Sequence, residues 1–214
     1  MLNQACIRLG VSMRQTEDEL MRDMMAASAS SVDCVNGTNG DRPTEVSNVD
    51  LQAVISTLLD NDTKCILDNI EGQDRFGTGP VRNSFLALCS TKLTSDLEER
   101  LAGFRPVAEY PSQQGILPSE YGTFKQLRFM VSSIGSVTPN ASAQGRNIYN
   151  IFCVGMEAVA AVEQANYGNQ FVYLDPRFSG PLALNASVGF KMATAQQILN
   201  DEWIINARAT LFNS

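Results

Sequence analysis

The chain has 214 residues, 44% of them hydrophobic and 18% charged, which is enough to bury a core and too apolar for a disordered polymer. Lys and Arg number 16 against 23 Asp and Glu, for a net charge of −7 and a pI near 4.6, which argues against holding nucleic acid by phosphate neutralisation. Histidine is absent, which removes Ser-His-Asp and Cys-His catalysis, the commonest general base and most zinc chemistry. No run approaches the roughly 18 apolar residues of a membrane span, and no basic segment leads into an apolar core and cleavage site of the secretory kind.

From the N-terminus, Leu2, Cys6, Leu9, Met13, Leu20 and Met24 recur at three- and four-residue steps, which predicts one amphipathic helix from Met1 to about Ala27. Gly10 lies inside it and costs roughly 1 kcal/mol against alanine. No capping residue precedes it, which leads to the expectation that the natural chain continues upstream. Two Asn-Gly steps, Asn36–Gly37 and Asn39–Gly40, mark a turn-rich segment over 28–48, with a short strand expected at Val32–Val35. The Asn-x-Ser/Thr sequons at Asn36, Asn61, Asn140 and Asn185 read as turn chemistry. Ser47 or Asn48 should cap a second helix over Asp50–Asp60 that buries Val54, Ile55, Leu58 and Leu59.

Gly72–Asn83 reads as a loop, and its Gly77-Thr-Gly79 lacks the Gly-Lys-Ser/Thr ending of a phosphate loop. Ser84–Ser90 reads as a buried strand. Ser95-x-x-Glu98 is a capping-box pattern for a helix to Leu101, stopped at Gly103. Strands are expected at Leu127–Ser132 and Ile148–Cys153, a short apolar helix at Gly155–Glu163, and a closing strand pair at Ser187–Ala195 and Glu202–Thr210. Helices and strands mix without steady alternation, so the class is α+β.

Five cysteines, Cys6, Cys34, Cys65, Cys89 and Cys153, are widely spaced without a Cys-x-x-Cys pair, a pattern of reduced thiols and not of a disulfide framework or zinc site. Cys6, Cys89 and Cys153 sit among apolar neighbours, as core filler would. Candidate acids are Asp18, Glu19, Asp23, Asp74, Glu109, Glu120, Glu157, Asp175 and Asp201. Of these, Glu109 and Glu120 flank the long loop that opens at Tyr110, where they read first as a solvated loop edge; their convergence would instead make a histidine-free hydrolase. Asp18 and Glu19 fit helix-face pairing with Arg14 and Arg22. Asp175-Pro176-Arg177 is a turn, and Lys191 is a strand lysine with its head in water. No catalytic, cofactor or metal site emerges from these residues.

The order of elements carries more. Ser84–Leu97 ("SFLALCSTKLTSDL"), Tyr110 with Glu120, Gly122 and Arg128–Phe129, then Gly180–Leu182, Gly189–Lys191 and Ile198–Asp201 resemble the strand–helix, loop–strand and C-terminal motifs of one family. That family is the major capsid proteins of the N-four-like short-tailed bacteriophages, which adopt the Hong Kong 97 capsid fold. The resemblance implies a long spine helix with a peripheral sheet plus an axial α/β domain. It divides the chain into peripheral parts at 1–48 and 178–214 around an axial part at 49–177. It implies a structural and not an enzymatic role, with no cofactor: a virion protein whose partners are copies of itself, joined by scaffold, portal or decoration proteins, with no sequence-specific nucleic acid and no membrane. The Tyr110–Gly122 loop would meet another subunit. An encapsulin-like or prophage-derived shell protein would share the fold. The family's N-terminal arm and extended loop, upstream of the spine helix, are expected to be missing, and its Asp-Pro-Leu-Asn stands here as Gly180–Asn185, "GPLALN".

Overall fold

The computed structural model describes residues 2–66, 83–110, 117, 119–163, 170–175 and 186–212. Helix α1 spans Leu2–Ser28, the length that the apolar repeat predicts. Its burial is sparser than the repeat implies: Met13 and Met25 are buried, whereas Leu20 and Cys6 are exposed. Strand β1 (Ser30–Asp33) starts two residues ahead of the expected one. Ser47 caps α2 (Asn48–Asp60), its Oγ accepting from the Asp50 N–H at 3.3 Å. Leu51, Val54, Ile55 and Leu58 are buried along α2, but Leu59 faces water.

β2 (Phe85–Ser90) runs through a 3₁₀ turn at Thr91–Leu93 into α3 (Thr94–Arg100). The capping box is not used. Ser90 caps the 3₁₀ turn by accepting from the Lys92 N–H, and Ser95 donates to Glu99 instead. An upstream hydroxyl at the strand end starts the helical turn before Ser95 can. Short β3 (Arg105–Pro106) follows, then β4 (Glu120–Phe124), β5 (Leu127–Ser132), short β6 (Val137–Thr138) and β7 (Ile148–Val154).

The expected helix at Gly155–Glu163 is a turn followed by β8 (Val159–Glu163). The turn is pinned by the Gly155 N–H on the Trp203 carbonyl and the Met156 N–H on the Lys64 carbonyl, with Glu157 at φ 62°. Short apolar runs fit either period, and here valines pairing with another strand decide it. β9 (Gln170–Leu174), β10 (Ser187–Lys191), β11 (Thr194–Ile198) and β12 (Ile204–Ala209) complete the chain. The closing strands do not pair with each other as expected: β10 pairs with β9, β11 with β8, and β12 with β7 and β1.

By contact the chain groups into two units, Met1–Met24 with Ala160–Gln197 and Met25–Val159 with Ile198–Ser214. The larger holds, among the described residues, an eight-stranded mixed sheet in the order β1-β12-β7-β2-β5-β4-β3, with β6 also on β7. β1–β12 and β2–β5 are parallel and the remaining pairs antiparallel. Phe85, Ala87 and Cys89 of β2, Leu127 and Phe129 of β5, and Ile151 and Cys153 of β7 point to one side. There they meet Leu51, Val54 and Leu58 of α2 and Leu97 of α3. β7 is buried at all seven positions, as a central strand covered on both faces must be. The core thiols follow this burial, which pushes the Cys89 and Cys153 pKa values up to about 12 and raises that of Cys34 too.

The smaller unit contains α1 up to Met24 and the two-stranded ribbons β9–β10 and β8–β11. Gln196 donates to the Glu17 carbonyl at 3.2 Å, and the Phe171 ring lies over Gly10. Among the described residues no helix is long and apolar enough to cross a membrane.

Candidate functional site

The stretch from Phe104 to Phe129 holds the loop–strand motif of the resemblance. β3 leads into a 3₁₀ turn at Val107–Glu109. Residues 111–116 and 118 lie outside the described ones. After Leu117 and Ser119, β4 pairs with β5 through the turn at Lys125 and Gln126.

Register explains how Glu120 reaches Arg128. Phe124 opposes Leu127, Thr123 opposes Arg128 and Gly122 opposes Phe129, so regular pairing would put Tyr121 on the face of Arg128. A bulge between Glu120 and Gly122 sets Glu120 opposite Met130 instead, two residues along the same face as Arg128. One inserted residue therefore re-aims the carboxylate. Gly122 is required at the bulge: a Cβ there would stand 2.5 Å from Phe104 Cζ and 2.6 Å from the Arg105 carbonyl oxygen. Phe104 fills that place and stacks edge-on against Phe129, with centroids 5.8 Å apart.

The result is a buried polar knot. Glu120 Oε1 accepts from the Tyr110 hydroxyl at 2.8 Å and from Arg128 Nη1 at 2.6 Å, while Oε2 accepts from the Leu117 N–H at 3.1 Å. Arg128 Nε donates to Ser84 Oγ at 3.0 Å. The Glu120 side chain is 0% exposed and that of Arg128 9%. Burial alone would raise the Glu120 pKa. Hydrogen bonds from Leu117, Tyr110 and Arg128, with the guanidinium charge, outweigh it and hold the carboxyl below its ordinary range. The Tyr110 phenol is pushed up by burial and by its bond to the carboxylate.

This arrangement is unsuited to acid–base work. A general acid needs a raised pKa and a proton to give, whereas Glu120 is an ionised acceptor committed to three partners. Glu109 is exposed on the 3₁₀ turn. Both readings of Glu109 and Glu120 are therefore corrected: the Glu120 side chain is buried and not at a solvated loop edge, and among the described residues it meets a cation and a phenol and not Glu109.

Other singled-out residues fall elsewhere. Lys191 ends β10 in water. Arg14 pairs with Glu17 at 3.2 Å and Arg22 with Asp23 at 2.7 Å, where Asp18 and Glu19 were the expected partners. Glu157 pairs with Lys64 at the surface, and Asp201 opens a 3₁₀ turn. Asp74, the Gly77–Gly79 loop, Pro176 and Arg177, Gly180–Leu182 and Asn185 lie outside the described residues. Among the described residues no cluster of three potential metal ligands occurs.

Sequence reasoning missed a second set of buried acids in the turn-rich segment. Glu45 accepts from the N–H groups of Thr38 and Asn39 at 2.6 and 2.9 Å, and Asp50 accepts from Asn36 Nδ2 at 2.7 Å. Asp41 accepts from the N–H groups of Arg42 and Gln144 at 2.7 and 3.1 Å. For both Asp41 and Glu45 burial acts to raise the pKa, but it is outweighed and the pKa is lowered: by the Ser142 side chain, the Arg42 and Gln144 N–H groups and the Arg146 charge at Asp41, and chiefly by the Thr38 and Asn39 N–H groups at Glu45. The signal available was the density of Asn-Gly turns, whose free N–H groups need acceptors.

No family model and no curated protein matches the chain. Solved structures do. A chain of Mycobacterium phage Che8 matches with TM-score 0.61 at 8% identity, over 97% of this chain and 63% of its own length. The acid-stable capsid of Helicobacter pylori bacteriophage KHP30 matches with TM-score 0.61 at 9% identity, over 98% and 69%. The capsid of Cyanophage P-SCSP1u matches with TM-score 0.55 at 12% identity, over 98% and 66%. The chain thus spans 63% of the first of these chains, and its fold is that of phage capsid structures, the α+β Hong Kong 97 type.

Proposed function

We propose that the chain is a structural subunit of a bacteriophage icosahedral capsid, associating with copies of itself and residing in the virion. The observation that carries this is the fold match, which runs over 97% and 98% of the chain in the Che8 and KHP30 comparisons. The committed, buried Glu120 removes the one enzymatic pairing that the sequence offered. Head-to-tail contacts between identical tiles close into rings, and many modest contacts sum to a stable shell.

On this reading the family is the N-four-like major capsid group, carried by the order and spacing of the Ser84–Leu97 motif, the Tyr110, Glu120, Gly122 and Arg128–Phe129 motif, and the C-terminal motif at Gly180–Leu182, Gly189–Lys191 and Ile198–Asp201. An encapsulin-like or prophage-derived shell protein is the nearest alternative. The spine helix and the C-terminal strands belong to a peripheral part, 1–48 with 178–214, and the Tyr110–Gly122 loop belongs to an axial part, 49–177, where it contacts a neighbour. The boundaries between these parts are those read from the sequence, 48/49 and 177/178. Scaffold, portal and decoration proteins are further partners. The net charge of −7 suits a wall that packs DNA without binding it.

Sedimentation and electron microscopy of the purified chain test the reading. Concentration-dependent rings or shells are expected. A 23.3 kDa monomer at every concentration, with hydrolytic turnover lost in the Glu109→Ala/Glu120→Ala double variant, would overturn it.

A further inference from the structure

We infer that Glu120 is a positioning residue for self-association: its one carboxylate fixes Tyr110 and Leu117 relative to each other on the sheet. The inference rests on the reading of this end of the sheet as a contact between copies. Tyr110 closes the 3₁₀ turn after β3, and Leu117 stands just ahead of β4. Oε1 takes the Tyr110 hydroxyl and Oε2 the Leu117 N–H, so the two points share a single group. That group is itself fixed from below. Arg128 on β5 holds Oε1, and Ser84, next to β2, holds Arg128, so the position is referred to two strands of the sheet. The Phe104–Phe129 contact and Gly122 complete the seat. Nothing in this chain of bonds requires the charge to stabilise the fold, since a buried ion pair is often matched by apolar residues of similar volume. What an apolar pair cannot do is accept from both Tyr110 and Leu117. The device is pre-organisation, which removes part of the ordering cost from each contact between copies.

The test separates position from stability. In the double variant Glu120→Met/Arg128→Met the ion pair is replaced by apolar side chains. In Glu120→Gln/Arg128→Met one amide oxygen remains to accept. Amide exchange of Leu117 is read by NMR and self-association by sedimentation, with Trp203 fluorescence reporting global unfolding. The Met/Met variant should exchange Leu117 about tenfold faster or more, the worth of a lost hydrogen bond, at a nearly unchanged unfolding midpoint. Gln/Met should recover most of that protection, and association should weaken in the same order. Equal Leu117 exchange in all three proteins overturns the positioning role. Faster exchange with unchanged association overturns instead the contact reading on which the inference rests. Because exchange is read on the unassociated chain, it decides the role of Glu120 even if no rings form.

Discussion

Two strands of similar composition have opposite fates. β7, "IYNIFCV", is buried at every position; β9, "QFVYL", is exposed at every position, with Phe171 at 53% and Tyr173 at 52%. Nothing internal to either strand decides this, since both are rich in the β-branched and aromatic residues that pleated strands favour. The difference lies in the neighbours. β7 has β12 on one side and β2 on the other, within the sheet that packs on α2 and α3. β9 has β10 alone within its ribbon, and two strands cannot bury both of their faces. Stability in the larger unit is therefore stored in packing that the chain supplies to itself.

The largest consequence is a contrast in mutational cost. Phe129 is fully buried against Phe104, so Phe129→Ala should cost about 3–5 kcal/mol in urea unfolding. Tyr173→Ala on β9 should stay within about 0.5 kcal/mol. Comparable costs at the two positions would remove the distinction between the strands.

Next comes the buried pair. Arg128→Met alone leaves the Glu120 charge without its cation and should cost roughly 3 kcal/mol, while adding Glu120→Met should return most of it. The surface pair Lys64–Glu157 is the control, with 58% exposure on each side chain. Breaking it should cost less than about 1 kcal/mol.

The same carboxylate sets a pH dependence. The folded pKa of Glu120 lies below the ordinary 4.5 of an unfolded glutamate, so its contribution is fully present above that value and is lost as pH falls through the folded pKa. Asp41 and Glu45 act in the same direction. Asp96 acts oppositely: burial raises its pKa more than the Phe212 N–H and Arg100 lower it, so the fold binds its proton more readily. Urea midpoints should therefore fall from pH 5 toward pH 3, and fall less steeply in Glu120→Gln. An identical slope in the variant would remove Glu120 from the acid response.

Much of this was legible from the chain. The helix of 27 residues showed in its three- and four-residue repeat, β5 at its observed bounds, and the α2 cap in Ser47. These signals are local, and local physics preserves them. The Gly155–Glu163 helix and the closing strand pair failed because their outcome depends on partners distant in sequence: β8 needs β11, and β12 needs β7 and β1. The candidate site was legible as a set of residues but not as a contact. Tyr110, Glu120, Gly122 and Arg128 stood out through a family resemblance, yet their meeting depends on one bulge that regular alternation does not foresee. Cys6 misled because apolar neighbours in sequence are not a core in space.

Two glycines give the finest test, because the smallest possible side chain should act with opposite sign in the two units. At Gly122 a Cβ meets the Phe104 ring and a backbone carbonyl at 2.5 and 2.6 Å, and a carbonyl in a paired strand cannot yield. Gly122→Ala should therefore cost about 1–3 kcal/mol, with the Phe104 ring displaced. At Gly10, inside α1, the nearest atom to a new Cβ is Phe171 Cζ at 3.8 Å, an ordinary contact. Gly10→Ala should stabilise by about 0.5–1 kcal/mol, through helix propensity and a less flexible unfolded chain. Read by urea midpoints on the unassociated chain, a loss at Gly10 as well would mean that the helix is packed as tightly there as the sheet is at Gly122. The contrast between a self-sufficient sheet and a sparsely covered helix and ribbon would then have to be given up.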